Sequence, residues 1–247
     1  MSDNKICIYF SIKIFAVCMA FCGIIALWCC CFYAFGKDHV IRVAAQSFST
    51  VIIDAGHGGR DGGAVGNSGI KEKDLNLQLS CNLEDVLKLC GIETMMTRKD
   101  DSLVCDENDP ALKGNIKMTD LKNRLKFAES NDDSVFVSIH MNKFSVEKYK
   151  GLQVYYSTNN DASLELAKSI QNNVVQILQK DNTRKVKKAN SNIFLLDRIE
   201  VPAVLIECGF LSNLEEEQLL CDSRYRAELS LLIADGIIAN LNRVGNN

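Results

Sequence analysis

Residues 51–66 read VIIDAGHGGRDGGAVG. An apolar, β-branched run from Val51 to Ile53 has the composition of a strand. It drops into a loop so rich in glycine that the backbone can bend sharply there. One of only three histidines in the chain, His57, sits among those glycines. A strand that ends in such a loop is one edge of an α/β sheet, and ligands of open α/β sheets bind beyond the carboxyl ends of the strands. The glycines are expected to let His57 turn toward that edge and to leave room for a bulky substrate.

Working outward, strand and helix patterns alternate. Glu72 to Cys90 carries Leu75, Leu79, Leu83, Val86 and Leu87 at helical spacing, with Gly91 as its stop. Ile92 to Thr97 reads as a strand, 99–118 as a polar loop and 119–129 as a helix. Ser134 to His140 and Gly151 to Ser157 read as strands, and Asp161 to Gln179 as a helix. Residues 180–190, KDNTRKVKKAN, form a basic loop that reads as a solvated turn, with contact to an anionic polymer as the alternative. NIFLL (192–196) reads as a short strand, PAVLIE (202–207) as a buried one, and 222–242 as a closing helix. This order predicts an α/β fold: a mostly parallel twisted sheet flanked by helices on both faces.

The chain has 247 residues, 47% of them hydrophobic and 24% charged, with a net charge of −3. That is enough apolar material for a packed domain, and the charge balance argues against nucleic acid as a partner. Residues 14–36 carry no charge and are long enough to cross a bilayer, which takes about 20 apolar residues. The expected organisation is therefore 1–36 as a transmembrane or signal helix, 37–49 as a linker and 50–243 as the catalytic domain. The membrane is then a partner through the N-terminal segment. A cleavage-like VAA at Val43–Ala45 is the alternative of a secreted chain, but the charges between it and the apolar run suit an anchor better. Of eleven cysteines, Cys81, Cys90, Cys105, Cys208 and Cys221 lie in the soluble part. No CxxC pair occurs, and they are expected to be small buried apolar residues.

Four polar residues fall at the ligand-binding edge. His57 follows the first strand, His140 ends SVFVSIH, and Glu207 ends PAVLIE. Glu72 opens the first helix, three and seven residues before Leu75 and Leu79 and so on their inward face. An inward carboxylate is costly unless a cation meets it. Two imidazoles and a carboxylate are a common ligand set for catalytic Zn²⁺, which keeps a position open for water and makes that water nucleophilic at neutral pH. Glu207 is then suited to act as general base, taking the proton and passing it to a leaving amine. Taken singly, each has a plainer reading: a structural histidine, a helix N-terminal acid at Glu72, a buried ion-pair partner at Glu207. His39, in the linker, fits no site.

The combination IIDAGHGGRDGGAVG, IKEKDLNL, SIHMN and LIECGFLSN resembles the zinc-dependent N-acetylmuramoyl-L-alanine amidases of the Amidase_3 family, over about residues 50–243. The resemblance implies that His57, Glu72 and His140 bind Zn²⁺ and that Glu207 is the catalytic carboxylate. It implies peptidoglycan as substrate, cut at the amide between N-acetylmuramic acid and L-alanine. MTR (96–98) and the stretch around Arg124 also look like family positions, with structural or substrate-side roles expected. Ala55 stands where the family usually has proline. The short domain and single N-terminal apolar segment look most like the CwlD-type sporulation amidases, which act in forming muramic-δ-lactam of the spore cortex on the outer face of a membrane. An accessory protein at that membrane is compatible with this likeness. The competing readings are an amidase-like domain that binds peptidoglycan without cutting it, and a zinc exopeptidase, because the ligand set alone does not choose the amide.

Overall fold

The computed structural model describes Met19 and residues 50–106 and 115–244. The chain divides into two units, residues 1–44 and 45–247. Apart from Met19, the expected anchor and linker lie outside the described residues. No helix among the described residues is long and apolar enough to cross a membrane.

The described elements are β1 (Thr50–Ala55), α1 (Glu72–Leu89), β2 (Glu93–Met96), α2 (Ile116–Ala128), β3 (Ser134–Asn142), β4 (Gln153–Tyr156), α3 (Ala162–Ile177), β5 (Lys187–Lys188), β6 (Ala203–Phe210), α4 (Leu214–Cys221) and α5 (Ser223–Val244). The strands form one sheet in the order β2-β1-β3-β6-β4-β5. Every pairing is parallel except β4 with β6. The fold is thus α/β with a mostly parallel, mixed sheet. All six residues of β1 are buried, because a central parallel strand is covered on both faces.

Alternation along the strands divides the core in two. Val51, Ile53, Val137 and Ile206 face one layer with Leu75, Leu79 and Leu83 of α1, Ile170 of α3 and Ile233 of α5. Ile52, Phe136 and Leu205 face the other, with Ala128 of α2 and Leu195, Leu196 and Ile199. Helices therefore cover both faces, as the βαβ alternation predicts.

Several local expectations change. NIFLL is a run of turns: Ile193 N bonds Asn190 O, and Asp197 N bonds Ile193 O. A five-residue apolar run does not distinguish a strand from turns that bury the same side chains, and Leu195 and Leu196 are buried here without joining the sheet. Helix α2 starts at Ile116, inside the stretch read as loop, and β5 lies inside the basic segment. Helix α4 was not expected. Its signal is SNLEEE: Asn213 caps it by accepting from Glu216 N, and three acids occupy its first turn. The cysteines are also less buried than expected. Among the five, only Cys208 is buried, Cys81 and Cys105 are half-buried, and Cys90 and Cys221 are exposed.

Candidate metal centre

The sheet edge assembles the site row by row. His140 on β3 lies beside Glu207 on β6 in parallel register, so both side chains project from one face. The next strand, β1, ends one residue before Gly56, whose N bonds Ile139 O at 3.1 Å. A Cβ on Gly56 would stand 2.3 Å from His140 Nε2. Glycine is required there because the imidazole occupies that space. Gly63 is in the same position: its φ is +65°, and a Cβ would lie 2.5 Å from Glu72 Oε2. These two glycines thus make room for the polar side chains themselves.

His57 is the only non-glycine residue with positive φ among the described residues, at 62°. Left-handed backbone costs an L-residue about 1–2 kcal/mol, so its surroundings must hold it. Arg124 Nη2 donates to His57 O at 2.6 Å, while the same guanidinium bonds Asp54 Oδ1 at 2.6 Å and Asp120 Oδ2 at 2.7 Å. Arg98 ties down the preceding turn through the carbonyls of Ala55 and Gly56. Both arginines are buried and act on the loop backbone, which gives the two family-like positions structural roles.

His57, Glu72 and His140 meet. Each offers one ligand atom, and these atoms all lie within 4.8 Å of one another. His57 Nε2 is 3.2 Å from Glu72 Oε2, and His140 Nδ1 is 2.9 Å from Glu72 Oε1. Backbone donors fix the carboxylate as well: Ala64 N at 2.8 Å and Met141 N at 3.1 Å. Burial alone raises the Glu72 pKa, but the two imidazoles outweigh it and hold the group well below the usual carboxylate range. For His57 burial works against the charged form, yet Glu72 and Asp61 outweigh it and raise its pKa. The field that favours a proton on this imidazole also favours a metal cation in its place.

Asp61 was not singled out from the sequence. Its Oδ2 is 3.0 Å from His57 Nδ1. That contact favours a proton on Nδ1, shared with the carboxylate, and leaves Nε2 facing Glu72 as the atom a cation would take, the arrangement by which metal-ligating histidines are oriented. Only its place in the glycine loop hinted at this. Glu207 projects beside the cluster. Its Oε2 is buried with no hydrogen-bond partner, and burial pushes its pKa up to about 7. A trio of this donor type with an unpartnered carboxylate oxygen next to it could hold a cation and move a proton. The donor set and its spacing therefore fit a metal ion.

The family model for N-acetylmuramoyl-L-alanine amidase, Amidase_3, matches residues 51–239. The chain belongs to this family. It is 33% identical over 196 residues to the germination-specific N-acetylmuramoyl-L-alanine amidase of Bacillus subtilis (strain 168), covering 79% of this chain and 81% of that one. Among solved structures it is similar to the CwlD amidase of Clostridioides difficile, solved in complex with the GerS lipoprotein: 38% identity, TM-score 0.74, and 78% and 98% of the two chains covered. It is also similar to the amidase AmiC2 of Nostoc punctiforme, at 29% identity and TM-score 0.66 over 78% and 96%. The protein is an N-acetylmuramoyl-L-alanine amidase with peptidoglycan as its substrate class. Between Gly151 and Asn192 the amidase holds only β4, α3, β5 and turns.

Proposed function

We propose that this amidase depends on Zn²⁺ held by His57, Glu72 and His140, with Glu207 as general base and proton shuttle. The observation that carries the reading is the three-ligand cluster with the unpartnered Glu207 oxygen beside it. Bound there, Zn²⁺ supplies Lewis acidity toward the scissile carbonyl and makes a water nucleophilic at neutral pH. Glu207 accepts the attacking water's proton and returns it to the departing alanine nitrogen. Its strand keeps it in place: Val204 to Ile206 are buried and paired on both sides. Asp61 holds the His57 ring, and Arg124 holds its backbone. The test is metal content and turnover on muropeptides read by mass. His57→Ala, Glu72→Ala and His140→Ala are expected to lose zinc. Glu207→Gln is expected to keep zinc and lose about 10²-fold or more in turnover. Zinc retained by a triple ligand variant, or normal turnover in Glu207→Gln, overturns the assignment.

The biological setting is read from the relatives. A germination-specific amidase and a CwlD amidase are both similar over most of this chain, which supports action on spore cortex, in forming muramic-δ-lactam. The uncharged residues 14–36 support a membrane anchor with the catalytic domain outside the cytoplasm, in a sporulating cell between the forespore membranes. The GerS complex of the C. difficile protein supports an accessory protein at that membrane. Fractionation of sporulating cells, with protease added to intact protoplasts, is expected to find the full chain in membranes and its domain digested. A soluble chain beginning after Ala45 overturns the anchor.

A further inference from the structure

Strand β4 runs antiparallel to β6, so its first residue lies at the same sheet edge as the site. Gln153 is directly opposite Glu207 in the β4–β6 ladder, and opposed residues share a face with Cβ atoms about 5 Å apart. Gln153 Oε1 accepts from Arg184 Nη1 at 2.9 Å, and Arg184 Nε donates to Lys150 O at 2.8 Å. The guanidinium also lies 4.5 Å from the centroid of Phe210 and 6.0 Å from that of Tyr149. These contacts hold the fork in one orientation. Its Nη2 has no partner among the described residues, and Arg184 forms no ion pair there.

The carboxylates nearby are engaged elsewhere. Asp181 pairs with Lys150. Both oxygens of Glu216 accept backbone N–H groups, from Gly151 and Phe210, and burial pushes its pKa up. Together with Lys148, Tyr149 and Gly151, these groups line a cavity of about 270 Å³. A pre-oriented, unpaired guanidinium beside an aromatic ring is a receptor for a planar carboxylate. An extended peptide advances about 3.3 Å per residue. Starting beside Glu207, it reaches past Gln153 to Arg184 in about two or three residues.

We propose that this cavity is a specificity subsite for a free carboxylate on the stem peptide, two or three residues beyond the scissile amide, with Arg184 as its anchor. The proposal rests on the assignment of Glu207 to the scissile bond. It turns the basic segment 180–190 from a solvated turn into part of the substrate surface.

The experiment compares two muropeptides that share glycan and stem, one with free stem carboxylates and one with them amidated, on the full chain. The free acid is expected to have a KM lower by about tenfold or more, the scale of a charge-assisted bond. Arg184→Gln is expected to erase that difference by raising KM for the free acid, with kcat and bound zinc unchanged, and Arg184→Lys is expected to restore part of it. Equal KM values in the wild type, or an equal fall in kcat on both substrates in Arg184→Gln, overturns the subsite. A binding arm separates this proposal from the chemistry assigned to Glu207. Calorimetry of the released stem peptide on Glu207→Gln is expected to show binding that needs the carboxylate and Arg184, whether or not the wild type turns over. Binding indifferent to amidation overturns the subsite. Preferential binding of poly(glycerol phosphate) through Arg184 does so too, since it assigns the cavity to an anionic polymer.

Discussion

Single residues at this site are placed by steric and hydrogen-bond needs that reach beyond their own side chains. His57 is held at φ 62° because Arg124 binds its carbonyl and Asp61 binds its ring. Asp61→Asn removes the charge that fixes the tautomer while keeping the shape. It is expected to weaken metal affinity by about 10–100-fold, measured by competition with a chromogenic chelator; unchanged affinity would leave Asp61 with no orienting role. Glu207 leads to a pH prediction. Burial raises its pKa to about 7, and a protonated carboxyl cannot accept the water's proton. Turnover is therefore expected to fall as pH drops, with a limb between about 5 and 7, since a cation at the cluster favours the ionised form. A profile flat from pH 5 to 8 excludes Glu207 as the titrating base.

Elements dock through contacts tighter than a side chain can fill. Gly236 on α5 faces α3 so closely that a Cβ would lie 2.7 Å from Ile170 Cα and 3.0 Å from its nitrogen. Backbone cannot move aside as a flexible side chain does. Gly236→Ala is therefore expected to push α5 away from α3 and to cost about 1–3 kcal/mol, despite alanine's higher helix propensity. Chemical denaturation reads the change; a variant as stable as the wild type would mean that the two helices separate freely. The glycine loop is docked by another element, α4. Glu217 accepts from Asn67 N, Ser68 N and Ser68 Oγ, which pins the segment leading into Glu72. SNLEEE carried the signal for that helix in its capping asparagine and acidic first turn, whereas the partner of Glu217, about 150 residues away along the chain, had no local trace.

At the scale of the whole molecule, one buried network couples the sheet to the site. Asp54 on β1 accepts from Arg124 of α2, Ser138 of β3 and Thr97 after β2. Burial alone raises its pKa, but Arg124, Ser138 and the other partners outweigh it and hold the group below its ordinary value. A depressed carboxylate contributes stability that is present above the unfolded pKa of about 4 and is lost as pH falls through the lower folded value. Unfolding midpoints are thus expected to fall steeply below about pH 4. Asp54→Asn is expected to be less stable at neutral pH, where it leaves Arg124 buried without its partner, and to show a flatter acid slope. An unchanged slope in that variant would place the acid sensitivity elsewhere.

The sequence by itself determined what short windows can encode. The β-branched run ending in glycine, the helical spacing from Leu75 to Leu87 and the alternation of strands with helices follow from local side-chain periodicity, and they were enough to name an α/β sheet. They also placed His57 after a strand, His140 and Glu207 at the ends of strands that run on to Asn142 and Phe210 in the structure, and Glu72 on an inward helix face. Only the tertiary structure decided what depends on the path of the chain between distant segments. It turned β4 antiparallel to β6, and so set Gln153, which holds Arg184, opposite Glu207. It put Asp61 on the His57 ring, filled the space above Gly56 and Gly63 with imidazole and carboxylate, and buried Leu195 and Leu196 in turns. Some of those partners are near in sequence, as Asp61 is to His57, and others are far, as Glu207 is from Gln153; in neither case does a local pattern record which group will arrive to satisfy a buried polar atom or to occupy the space beside a glycine.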